Sequence, residues 1–104
     1  MFVQPFTTEI QEEGSYLLYI YSPFCGTCHL ARNILETIED IHGKSLFAEM
    51  NASIEPEFMQ EHQIESVPCL LIVVDHVVQE KIYTFHSVAH MYTYVHTYFP
   101  QYFQ

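Results

Sequence analysis

The chain has 104 residues, 49% of them apolar, enough for one compact core and too few for two. Thirteen Asp and Glu stand against three cations, Arg32, Lys44 and Lys81, for a formal charge of −10. Binding a phosphate backbone or an anionic lipid surface takes clustered Lys and Arg, so nucleic acid and membrane are both excluded as partners. Eight Phe and eight Tyr supply core material, and disorder is not expected. The three cysteines are odd in number and too few for a stapled secreted scaffold. The opening MFVQPFTTEI has no basic stretch followed by an apolar run, so no secretory leader is expected. The longest apolar runs, Tyr16 to Tyr21 and Cys69 to Val74, are six residues each, too short to span a bilayer. These features predict one domain over residues 1–104, monomeric and cytoplasmic, where thiols are kept reduced.

In chain order, Phe2, Val3 and Phe6 predict a short edge strand, and Thr8 to Glu13 at most one helical turn before Gly14. Tyr16 to Tyr21 is continuously apolar, as for a strand buried on both faces. After Ser22-Pro23 a helix follows, with Leu30, Ile34, Leu35, Ile38 and Ile41 as its apolar stripe; Arg32, Asn33, Glu36, Glu39 and Asp40 fall outside it, and Gly43 stops it. Leu46, Ala48 and Met50 alternate with Phe47, Glu49 and Asn51, predicting a second strand. Asn51 or Ser53 is placed to cap a short acidic helix that starts near Pro56 and runs to about Gln63. Cys69 to Val74 reads as a third strand, Asp75-His76 as a turn, and Val77 to His86 as a fourth strand pairing antiparallel with the third. Val88, Met91, Tyr92, Val95 and Phe99 mark a last helix, stopped at Pro100. Helical crossovers between the first three strands predict parallel neighbours.

Cys25-Gly26-Thr27-Cys28 falls where the first buried strand gives way to a helix. A Cys at a helix N-terminus meets unpaired backbone N–H groups and the positive end of the dipole, which favour thiolate. A second Cys one turn on is within bonding distance and can displace a partner from a mixed disulfide. Gly26 permits the turn, and Thr27 leaves its side chain near the sulfurs.

With a buried strand before this pair, a helix after it and Val67-Pro68 opening a later strand, the chain resembles the thioredoxin family. YSPFCGTC is similar to that family's active-site segment and SVPCLLIV to its cis-proline segment. The resemblance spans roughly residues 15–100 in element order. It implies an α/β, thioredoxin-like fold: a four- or five-stranded mixed sheet flanked by helices. It also implies that Cys25 is the exposed nucleophile and Cys28 the buried resolving thiol. Pro68 would be cis, with the backbone at Val67 pairing to an extended substrate. Departures are plain. Phe24 replaces the usual Trp, Thr27 the usual Pro, and Cys69 the usual Thr. Tyr19 stands where a buried Asp is common, and Glu49 where a Lys is.

Four further residues carry two readings each or belong to the loop. Glu49 is either a buried acid/base serving Cys28 or a carboxylate facing solvent on an alternating strand. His29, four residues after Cys25, either holds the Cys25 thiolate as imidazolium or is simply solvated. Cys69 is either a small core hydrophobe or a third thiol near the pair. Phe24, with Gly26 and Thr27, belongs to the active-site loop. Cys25 to His29 also spells a haem-attachment pattern, which would require export and a haem pocket. A zinc or iron–sulfur module using Cys25, Cys28, His29 and Cys69 is the principal alternative, and a redox-inactive interaction protein the next. The reading preferred is a thiol–disulfide oxidoreductase with no resident cofactor and no metal. Its substrates would be disulfide-containing proteins, and the resemblance implies a thioredoxin reductase as electron donor.

Overall fold

The structure, a computed structural model, describes residues 4–103; Phe2 and Val3 lie outside the described residues. The elements are β1 (Gln4–Pro5), α1 (Thr8–Glu13), β2 (Tyr16–Tyr21), α2 (Thr27–His42), β3 (Phe47–Asn51), α3 (Pro56–Glu61), β4 (Cys69–Val74), β5 (Val77–Ile82) and α4 (Val88–Tyr98). Among the described residues the five strands form one mixed sheet in the order β1-β3-β2-β4-β5. β2 lies at its centre, parallel to β3 and antiparallel to β4, and its residues from Tyr16 to Ile20 are all buried, as a continuous apolar run demands.

The direction of β4 corrects the expectation of three parallel strands. The 16-residue α2 is about 24 Å long at 1.5 Å per residue and carries the chain back along the full length of a strand. The six-residue α3 is only about 9 Å long, half the length of a strand, so the chain enters β4 from the end where β3 finished. The turn into β5 follows the sequence, with Asp75 and His76 both at positive φ, 50° and 65°. β5 ends at Ile82 instead of His86. Its last ladder partner is Leu70, and Pro68 beyond it has no N–H to offer a longer ladder.

The buried face of α2 also differs from the apolar stripe. Cys28, Ala31, Leu35, Ile38 and Glu39 are buried, while Leu30 and Ile41 are 67% and 66% exposed. At 100° per residue the contact face centres between Ala31 and Leu35, and Leu30 and Ile41 lie well round the helix from it. Glu39 has a specific task there: its Oε2 accepts from Leu46 N at 2.8 Å and Phe47 N at 3.0 Å. Burial pushes its carboxyl above the usual range, against the pull of those two N–H groups.

Two apolar layers sandwich the sheet. Leu17, Tyr19, Phe47, Leu70 and Ile72 face α2 and α4 through Leu35, Ile38, Met91, Val95 and Phe99. Leu18, Ile20, Ala48, Met50, Cys69 and Leu71 face Phe58 of α3 on the other side. β3 therefore has buried residues on both faces, Phe47 on one and Ala48 and Met50 on the other. Asn51 caps a short 3₁₀ turn, Ala52–Ile54, through Oδ1 to Ser53 N at 2.9 Å, and α3 starts after it at Pro56. α4 is capped by Ser87, whose Oγ accepts from His90 N at 3.0 Å.

Candidate active site

The end of β2 delivers the chain into a tight turn before α2. Cys25 N donates to Ser22 O at 3.2 Å, Phe24 N donates to Ser22 Oγ at 3.3 Å, and Cys28 N donates to Cys25 O at 3.3 Å. Gly26 begins the helix with no side-chain cap, so the free N–H groups of the first turn need another acceptor. The half-buried Cys25 sulfur serves as one. Partial burial opposes its thiolate, but hydrogen bonds from the Cys28 thiol, the Thr27 hydroxyl and the backbone N–H groups of both outweigh it. The Cys25 thiol is held below its usual pKa. Thr27 Oγ1 lies 3.4 Å from the sulfur, and the Cys25 thiol donates to the Val67 carbonyl at 3.8 Å. Cys28, 5% exposed, is the reverse case: burial, then the hydrogen bond shared with Cys25, push its thiol up.

Beneath Cys28 lies a stack that joins Tyr19 and Glu49, both singled out in the sequence, through Arg32, which was not. Tyr19 is fully buried, and its hydroxyl donates to the Cys28 carbonyl at 2.6 Å. Its ring stacks on Tyr21 at 5.8 Å, and the Arg32 guanidinium packs on both rings, 5.2 and 5.1 Å from their centroids. Arg32 in turn pairs with Glu49 at 2.5 Å. The Glu49 carboxylate, 24% exposed, thus has a guanidinium as its partner. The available signal was Tyr19 itself, since a buried phenol must find a partner for its hydroxyl.

The Val67–Pro68 peptide is cis, and the Val67 carbonyl faces Cys25. Beside it, Thr27, Leu30, Pro68, Tyr83 and Phe85 line an open groove of about 260 Å³. Phe24, 91% exposed, projects from the loop on the way into α2. His29 is exposed on the first turn of α2, and the groups bonded to the Cys25 sulfur are Thr27, Cys28 and Val67. Cys69 is fully buried with Ile20, Leu71 and Met50, and burial pushes its thiol up to about 12. Among the described residues, no three His, Cys, Asp or Glu side chains converge on a position that could hold a metal ion. No helix of the described residues is long and apolar enough to cross a membrane.

A dithiol opening a long helix behind a buried central strand, facing a cis-proline at the head of an antiparallel strand, defines a thioredoxin fold. A point mutant of a thioredoxin from Halobacterium salinarum NRC-1 shares that fold with a TM-score of 0.76 at 17% identity, over 94% of this chain and 88% of that one. In sequence, the family model described as Thioredoxin matches residues 2–97. The chain belongs to the thioredoxin family. Thioredoxin-like protein YusE of Bacillus subtilis (strain 168) is 42% identical over 81 residues, 78% of this chain and 76% of the relative. A thioredoxin of Chlorobaculum thiosulfatiphilum is 29% identical over 70 residues, 65% of each chain.

Proposed function

We propose that the protein reduces disulfides in partner proteins through a Cys25/Cys28 dithiol–disulfide cycle. The observation that carries this reading is the asymmetry of the pair: an accessible sulfur biased toward thiolate and a buried one biased toward thiol. The Cys25 thiolate attacks one sulfur of the partner's disulfide, and the other sulfur leaves with the bonding electrons and takes a proton. Cys28 then loses its proton to solvent and attacks Cys25. The Cys25–partner bond breaks, the partner's second sulfur leaves as thiolate, and Cys25–Cys28 becomes the disulfide. Two electrons pass to the partner, and a reductase of the thioredoxin reductase class returns them. The chain works as a single cytoplasmic domain in this scheme, where such a donor operates. The Val67 backbone and the groove beside Pro68 receive the extended segment around the partner's disulfide, and Phe24 flanks it. With Glu49 held by Arg32, the Cys28 proton has its exit on the open Cys25 side.

Cys28→Ser tests the cycle. The variant lacks the second thiol, so partners in a cell extract should accumulate on Cys25 as mixed disulfides, which dithiothreitol releases and mass spectrometry identifies. Absence of adducts, or equal adducts with Cys25→Ser, would refute the proposal.

A further inference from the structure

The resolving step needs the least acidic and most buried sulfur of the pair to become a thiolate, and the stack beneath it bears on that step. The titratable and charged groups acting on Cys28 are Cys25 and Tyr19, and those acting on Tyr19 are Cys28, Arg32 and Cys25. Of these only Tyr19 places a neutral hydrogen-bond donor on the protein side of Cys28, away from solvent. We infer that Tyr19, clamped between Arg32 and the Cys28 backbone, is a positioning residue that fixes the first turn of α2 and stabilises the Cys28 thiolate during mixed-disulfide resolution.

Four observations support it. The hydroxyl–carbonyl bond is short, 2.6 Å, and closed to water, because Tyr19 has no exposed surface. On the Cys28 sulfur the Ser22 backbone, and after it the same hydroxyl, act in the direction that favours thiolate. Burial keeps the phenol well above its ordinary pKa, so at neutral pH it is a donor and not a base. The ring cannot swing away, since Tyr21 and Phe85 pack on it and Arg32 covers it, itself tied to Glu49. As Cys28 gives up its proton, the hydroxyl can share its hydrogen with the developing negative sulfur, a charge-assisted bond that a thiol does not form as strongly. Electrons and atoms move as in the dithiol cycle above; Tyr19 neither gains nor loses a proton.

The inference rests on the proposed dithiol cycle, and one experiment separates the two. Reduced protein mixed with Ellman's reagent releases one thionitrobenzoate when Cys25 attacks and a second when Cys28 resolves the mixed disulfide. A wild-type protein that gives no second release would sink the cycle itself. For Tyr19→Phe we expect the first release unchanged and the second slowed about tenfold at neutral pH, with its rate profile moved to higher pH. An unaltered second phase, or equal slowing of both, overturns the role of Tyr19. Should the phenylalanine variant fold poorly by circular dichroism, 3-fluorotyrosine placed at position 19 keeps the shape with a stronger donor. Its second-phase profile should move to lower pH, and an unmoved profile has the same overturning force.

Discussion

Thr27 shows how much a single hydroxyl can decide at this site. Its Oγ1 lies 3.4 Å from the Cys25 sulfur, and donation from it is one of the bonds holding that thiol below its usual pKa. A proline at this place in the loop would offer neither a hydroxyl nor an N–H. Thr27→Val keeps the branched shape and deletes the donor. The Cys25 pKa should therefore rise, and with it the pH at which thiolate ultraviolet absorbance appears. Alkylation by iodoacetamide should slow at neutral pH and converge with wild type in alkaline solution, where both are ionised. A variant that titrates like wild type would leave the thiolate resting on the backbone N–H groups and Cys28 alone. Cys25 and Cys28 were marked in the sequence by their place at a strand–helix junction, and Pro68 by the similarity of its segment to the cis-proline segment of the thioredoxin family. The pairing of Tyr19 with Arg32 was not, because it lies in a contact between a strand and a helix that no local pattern encodes.

At the scale of elements, the turns are more exacting than the strands they join. Gly14 ends α1 at φ +85°, its carbonyl accepts from His76 N at 2.8 Å, and Ser15 Oγ accepts from Asp75 N at 2.9 Å. The β4–β5 turn is thus anchored on the chain entering β2. A Cβ at Gly14 would sit 2.5 Å from His76 Nε2, whereas one at Gly43, φ +79°, would meet nothing. Gly43→Ala should cost about 1–2 kcal/mol for the left-handed backbone alone. Gly14→Ala should cost more, because the His76 ring must also leave its place. Urea unfolding of both variants gives the comparison, and equal losses would show that the His76 contact contributes nothing. The positions of β2, β4, α4 and the Asp75-His76 turn were all readable from composition and period. The direction of β4 was not, because it depends on how far α3 carries the chain. The face of α2 misled for another reason: Ala31 is too small to mark an apolar stripe and Glu39 is charged, yet one is buried in the core and the other satisfies the N–H groups at the start of β3.

On the scale of the whole molecule, a charge of −10 surrounds a sulfur biased toward its anionic form. Of the three cations, Arg32 is spent on Glu49, so the excess carboxylates act as a field opposing the Cys25 thiolate. The stabilising donors act at close range, 3.4 Å in the case of Thr27, where salt screens little. The opposing field acts across a molecule of 36 × 31 × 21 Å. At about 0.01 M salt the screening length is roughly 30 Å and the whole surface is felt; at about 0.15 M it is roughly 8 Å and most of it is not. Added salt should therefore remove more repulsion than attraction, and the Cys25 pKa should fall as sodium chloride rises over that range. Thiolate absorbance against pH at the two salt concentrations measures it. A pKa that rises instead would mean that the dipole of α2, and not the short hydrogen bonds, carries the stabilisation, since a dipole felt through solvent is itself screened. The expected fall makes the acidity of this chain a brake on the ionisation of Cys25, released as ionic strength rises.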